Sequence, residues 1–427
     1  MTRFPMLLSA AAVLVATPAL AKPADNAEAT MRALYGSRAF NVARQSLAAD
    51  YDRIVSEVTT LTEIPAPPFK EAKRAAVYLE MLRAAGLSDV EADAEGNVMG
   101  LRKGTGGGPL LVVAAHLDTV FPEGTDTKVR REGNYLNAPG VGDDTSSLPV
   151  LLAFIRALDK AGIRTKSDIL FMGDVGEEGP GDLRGMRHLF NKGKYKGRIA
   201  QFISVEPGRD RVTNGGVGSK RYKITFKGPG GHSFGAFGLV NPAYAMADAM
   251  VAFGKMQVPE TPKTTYNIGV VEGGTSVNSI PFETAMTVDM RSVDAGELAK
   301  EDAYLKSILD PAVARENAAR STAKGKIEYK LELIGDRPVG HTAPDAPLVK
   351  TAMAAIAIGG GKPELESSST DSNLPMSLGI PAVTIGSGFH TERAHAPDER
   401  LLLDRDDTVR YMTMSLATVI GAAGVAK

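Results

Sequence analysis

Cysteine is absent from all 427 residues. A chain without thiols makes no disulfide and no sulfur-ligated metal site. Its stability must come from core burial, subunit contacts or a metal held by His, Asp, Glu and backbone oxygen. Histidine is also scarce, with six in the chain, so the place of each one carries information. Charge of one sign is missing too: 49 Lys and Arg against 50 Asp and Glu leave a formal net charge of −1. That balance gives no electrostatic reason to expect nucleic acid or an anionic membrane as a partner. Beyond the amino terminus, no run is long and apolar enough to span a bilayer.

What is present describes a soluble globular protein, with 43% apolar and 23% charged residues. The length exceeds one ordinary core and fits two or three domains. Residues 1–21 stand apart. Arg3 gives a short positive start, "MLLSAAAVLVATPAL" is apolar, and Ala19-Leu20-Ala21 is a small-x-small cleavage site. This reads as a secretory signal peptide cut after Ala21, the alternative being an uncleaved anchor. The expected location is periplasmic or secreted, with no membrane attachment after cleavage.

From residue 22 to 217 the pattern is α/β. A helical leader from Asn26 stops at the prolines of "APPF". Then "EAKRAAVYLEMLRAAGL" reads as a helix, "PLLVVAAHL" as a strand and "SSLPVLLAFIRALDKAG" as a helix. "SDILFMGDVGEEG" and "IAQFISVEPG" are further strands, with the helical "MRHLFNKG" between them. Continuous apolar strands alternating with helices predict a mostly parallel sheet covered on both faces. Residues 218–336 change character. Half-exposed strands and two helices follow the order β-α-β-β-α-β, a ferredoxin-like unit solvated on one face. The α/β character returns over 337–427, so the smaller domain reads as an insertion into the larger one.

Ligands of an open α/β sheet sit beyond the carboxyl ends of its strands. The first strand ends in His116 and Asp118, and the loop "APGVGDDTSS" carries Asp143 and Asp144. The second strand ends in Glu177 and Glu178, the third in Glu206, and "PAVTIGSGFH" runs on to His390 and then His395. A solvated face accounts for one acidic strand end. Four successive loops delivering carboxylate or imidazole to one edge would repel unless a divalent cation, or two, were held there. The donor set suits zinc, with cobalt or manganese as substitutes. His116 and Asp118 lie two apart on a strand and point to one side, so Asp118 can orient the imidazole. Glu177 and Glu178 are adjacent and cannot easily share one metal. One is expected to ligate, leaving the other to accept a proton from water.

These motifs together resemble the M20 metallopeptidase family, which includes glutamate carboxypeptidases, peptidase T, aminoacylases and succinyl-diaminopimelate desuccinylases. "HLDTV", "PGVGDD", "GEEG", "VEPG" and "AHAPDE" stand in the family's order over nearly the whole mature chain. The resemblance implies a dinuclear zinc hydrolase. His116 and Glu206 would each bind one metal and Asp143 would bridge them. Glu178 and His395 would complete the coordination, Glu177 would be the general base, and Asp118 would orient His116. Of the two late histidines, His395 rather than His390 has Glu399 at the family's H-x-x-x-E spacing.

By the same resemblance the inserted domain is a dimerisation lid. His232 in "GPGGHSFG" would reach the partner subunit's active site as an oxyanion donor. Asn278 and Arg291 match substrate-holding positions, and Arg291 suits a terminal carboxylate unless it forms a strand-end salt bridge. The expected protein is a homodimeric, exported peptidase acting on short peptides from the carboxyl end. An amidohydrolase on N-acyl amino acids is the alternative. Thr145, Ser146 and Ser147 depart from the lysine and glycine frequent after the family's bridging aspartate. The "SSSTDSNLP" segment resembles a family substrate loop, while His188 and His341 match no motif.

Overall fold

The computed structural model describes residues 26–106 and 108–426, and the segment read as a signal peptide lies outside them. The apolar run Leu110–His116 is a wholly buried strand. Leu111, Val113 and Ala115 pack into a large apolar cluster, while Leu110, Val112 and Ala114 pack into a smaller one on the other face. A strand covered on both faces needs apolar residues at every position, which is why the run does not alternate. Ile169–Asp174, Ile199–Glu206 and Ala382–Gly386 run parallel to it. In space their order is 169–174, 110–116, 199–206, 382–386. Antiparallel strands flank this centre, with Val98–Arg102 on one side and Arg211–Gly216 on the other.

Helices Arg38–Thr62, Ser147–Lys160 and Arg405–Ala423 bury their apolar faces in the large cluster. Arg184–Asn191 and the short Asn373–Ser377 cover the smaller one. The leader is two helices rather than one. Asn26–Tyr35 ends at Gly36, and Ser37 Oγ then accepts the Phe40 N–H at 3.1 Å to cap Arg38–Thr62.

Register decides what stands at the carboxyl edge. His116 pairs with Asp174, Ala114 with Ser204, and Glu206 with Gly386. Asp174, His116 and Glu206 therefore end their strands at one level. The period of two turns them to one face, the face of the smaller cluster.

Strands Gly218–Lys227, Thr264–Gly273, Glu283–Ser292 and Glu328–Arg337 form a separate antiparallel sheet, ordered 264–273, 283–292, 218–227, 328–337. Helices Pro242–Phe253 and Ala295–Ala319 enclose a third apolar cluster against it. The element order is the ferredoxin-like one. Val217 alone separates this sheet from strand Arg211–Gly216. Polar bonds join the two parts beside the carboxyl edge. Arg187 Nη2 donates to the Asp336 carbonyl at 2.6 Å, Arg221 Nη1 to the Gly179 carbonyl at 3.2 Å, and the Asp336 N–H to Asp182 Oδ1 at 2.9 Å.

Candidate metal centre

Asp143 lies between two imidazoles. Its Oδ1 is 3.1 Å from His116 Nε2 and its Oδ2 is 3.2 Å from His395 Nε2. His395 Nε2 also lies 2.8 Å from Glu178 Oε1. The donor atoms of Asp143, Glu178 and His395 fall within 4.8 Å of one another, as do those of His116, Glu177 and Glu178. Glu206 belongs to neither triplet, though its carboxyl feels the charges of Asp143, Glu177 and His116. His390 belongs to neither triplet. It lines a cavity of about 300 Å³ together with Glu206, Arg209 and Thr384.

The donor chemistry fits a cation. Nδ1 of His116 meets the main-chain oxygen of Asp118 at 3.0 Å, so oxygen faces both ring nitrogens. An imidazole in that setting either carries two protons or surrenders one position to a metal. Burial alone pushes the His116 imidazolium down, but Asp118, Asp143 and Asp144 outweigh it and hold the group well above its ordinary value. His395, hydrogen-bonded to Asp143 and Glu178, is pushed up to about 10. Burial raises Asp143, yet the two imidazoles more than reverse that and hold its carboxyl low. Glu206, buried and facing Asp143 and Glu177, is driven well above the carboxylate range. The set is sulfur-free, anionic and convergent, which suits zinc, cobalt or manganese.

Asp118 works differently from the sequence expectation. Its carboxylate lies 3.6 Å from His116 Nδ1, beyond hydrogen-bond length, and it steadies the ring through its main-chain oxygen. The carboxylate instead accepts the N–H groups of Gly176, Glu177 and Glu178 at 3.0, 3.1 and 2.8 Å. It therefore fixes the turn that presents both glutamates. Beneath it lies the fully buried Arg74, which donates to the Leu117 carbonyl and Thr145 Oγ1 at 2.8 and 3.0 Å.

Three groups escaped the sequence reading. Arg337, at the end of strand Glu328–Arg337, donates through Nη1 to Glu177 Oε1 at 2.8 Å and through Nη2 to the Glu177 carbonyl. It is 160 residues from Glu177, and no local pattern marks it. Asp174 stands at a strand end, a signal that was available, and its partner Asp371 lies in the "SSSTDSNLP" segment. None of their four carboxyl oxygens has a donor among the described residues. Burial raises Asp174 to about 7, and burial with the charges of Asp174 and Glu177 holds Asp371 well above its ordinary value.

The three expected substrate-binding residues of the inserted domain lie apart from the cluster. His232 is exposed, and its Nδ1 accepts the N–H groups of Phe234 and Gly235, each at 3.2 Å. Asn278 Oδ1 accepts from Ser276 Oγ at 2.6 Å. Arg291 Nε meets Asp289 Oδ2 at 2.7 Å, the strand-end pair weighed above, while the side chain remains 40% exposed. Among the described residues, no hydrogen bond or ion pair joins these three to the cluster.

Comparison with known proteins bears on the family and the fold. A profile of peptidase family M20/M25/M40 matches residues 112–420. The chain is 25% identical to carboxypeptidase G2 of Pseudomonas sp. (strain RS-16) over 342 residues, 76% of this chain and 77% of that one. It is 26% identical over 212 residues to the succinyl-diaminopimelate desuccinylase of Leptothrix cholodnii, 46% of this chain and 55% of that one. The crystal structure of aminopeptidase PepT from Bacillus cereus superposes with a TM-score of 0.69 at 21% identity, covering 88% of this chain and 99% of that one. The matched span takes in His116, Asp143, Glu177, Glu178, Glu206 and His395, and the chain belongs to peptidase family M20/M25/M40 as a hydrolase of peptide bonds.

Proposed function

We propose that this protein is an exported, zinc-dependent peptidase that removes residues from the carboxyl end of short peptides and works as a homodimer. The observation that carries the reading is Asp143 lying between His116 and His395, with Glu177 beside the Glu178 ligand. When bound, a divalent pair supplies Lewis acidity to the scissile carbonyl and lowers the pKa of water. His116, Asp143, Glu178, Glu206 and His395 hold it. Glu177, its carboxyl raised by burial and restrained by Arg337, takes the proton from water and returns it to the leaving amine. Asp118 and Arg337 keep Glu177 in place from the two sides. Arg291 spends only Nε on Asp289, leaving its terminal nitrogens for a substrate carboxylate.

A second copy of the chain suits the lid's exposed surface. Thr264–Gly273 is a sheet edge whose outer side has no strand neighbour among the described residues, and Phe234, Phe237 and Val277 are 90%, 90% and 102% exposed. Unpaired edges and contiguous apolar surface are interface signals. His232, beside those phenylalanines, then serves the partner's site as an oxyanion donor, with Asn278 next to it. The export reading rests on the sequence of residues 1–21.

Glu177→Ala tests the base. The variant should keep its metal, measured by elemental analysis, and lose roughly 10²–10⁴-fold in kcat. Retained turnover overturns the assignment. The similarity to a desuccinylase favours a second reading, an amidohydrolase on N-acyl amino acids. A panel of dipeptides against N-acetyl and N-succinyl amino acids separates the two by kcat/KM.

A further inference from the structure

Asp143 reaches the cluster from a run of turns, residues 138–146, that belongs to no helix or strand. A ligand on irregular backbone keeps its place only if something fixes that backbone. Here the fixing group is Glu399, fully buried. Its Oε2 accepts the N–H of Gly140 at 2.9 Å, and its Oε1 accepts those of Gly142 and Asp143 at 2.9 and 3.0 Å. The Glu399 main-chain oxygen accepts the Ala138 N–H at 3.2 Å. In the other direction the Glu399 N–H donates to the Ala396 carbonyl at 3.0 Å, closing the turn that begins after His395. One residue thus ties the backbone of Asp143 to the segment of His395, whose side chains meet at 3.2 Å.

The loop has no room to adjust. Gly140 has φ +73°, and a Cβ on Gly142 would lie 2.1 Å from Thr391 Oγ1. Small errors in its position therefore pass directly to Asp143.

We propose that Glu399 is a positioning residue: by holding three successive-turn N–H groups it sets Asp143 against His395 and thereby the affinity of the cation these two share. This rests on the reading of Asp143 and His395 as metal ligands. Three donors on two oxygens need a carboxylate. Glutamine offers one oxygen and an NH₂, so either orientation loses at least one bond and sets donor against donor. Aspartate keeps both oxygens on a shorter stem.

Cobalt(II) titration followed by visible absorption tests the idea, on the mature wild type, Glu399→Gln, Glu399→Asp and His395→Ala. Thermal unfolding of each metal-free protein is measured alongside. Wild type should bind two ions. Glu399→Gln should weaken, by about 10–100-fold, the same step that His395→Ala abolishes, and Glu399→Asp should fall between. If Glu399→Gln binds cobalt as wild type does, whatever its metal-free Tm, Glu399 is a fold staple and the proposal is overturned. If Glu399→Gln does not fold, wild-type affinity in Glu399→Asp overturns it equally. A wild type that takes up no cobalt instead refutes the ligand reading underneath.

Discussion

Glu177 is pulled two ways. Burial raises its carboxyl, as do Glu178 and Asp118, while Arg337 and His116 pull it down, and the net shift is upward. A base must be ionised to accept a proton, so the group that restrains its pKa sets the acid limb of the rate profile. Arg337→Met removes the largest restraining charge. The Glu177 pKa should rise, and the acid limb of kcat/KM against pH should move to higher pH, with activity partly recovered above it. An unmoved limb would show that Arg337 does not act on the base. The substitution should also destabilise the fold by roughly 3–5 kcal/mol, because a buried carboxylate loses its partner. At the cluster, His116 and His395 are both raised above their ordinary values, and a ligating imidazole must give up a proton. Metal affinity should therefore climb with pH. Calorimetry in buffers of different ionisation enthalpy should show proton release on binding.

Among the elements, helix Ala295–Ala319 of the inserted domain carries a buried carboxyl without a partner among the described residues. Glu301 is 2% exposed, and neither of its carboxyl oxygens has a donor among the described residues. Burial, with Asp289 and Glu297 adding to it, raises its pKa to about 8. The unfolded chain ionises this group near its ordinary 4.5. Below that both states hold the proton and nothing is lost. Between 4.5 and about 8 the unfolded state ionises first, so stability drains away as pH rises, and above about 8 the full cost is present. Glu301→Gln should match wild type near pH 4 and be more stable by on the order of 2 kcal/mol at pH 8, read from denaturant midpoints at the two pH values. Equal stability at pH 8 would mean that Glu301 has a partner in the folded inserted domain.

For the whole molecule, the two sheets have separate apolar cores and the cluster lies on the larger one. A cation bound only by the folded state stabilises it by mass action, about 4 kcal/mol at a thousandfold excess over Kd. Chelation should lower the thermal transition of the larger domain, leave that of the smaller domain in place, and abolish hydrolysis until metal is restored. On the proposed dimer, sedimentation should give two copies, and a variant with Phe234→Glu and Phe237→Glu should sediment as a monomer with much reduced kcat. A fully active monomer would remove His232 from the partner's site.

The sequence alone determined what depends on neighbours along the chain. Apolar runs without alternation require a sheet covered on both faces, and polar residues at their ends fall at the edge where such sheets bind ligands. Hence the strands ending in His116 and Glu206, and the β-α-β-β-α-β order of the insertion, were legible, and motif order pointed to the family; the strand expected to reach Glu177 and Glu178 stops at Asp174, and both glutamates stand in the loop beyond it. Only the tertiary structure decided which atoms meet. Parallel register levels His116 with Asp174 and Glu206. The turn of Asp118's carboxylate toward three backbone N–H groups depends on how two strand-end loops pack. Arg337 comes to Glu177, Asp371 to Asp174 and Glu399 to Gly140, Gly142 and Asp143 from 160, 197 and 256–259 residues away. Spacing along the chain carries no record of such pairs, because the forces that join them act through space.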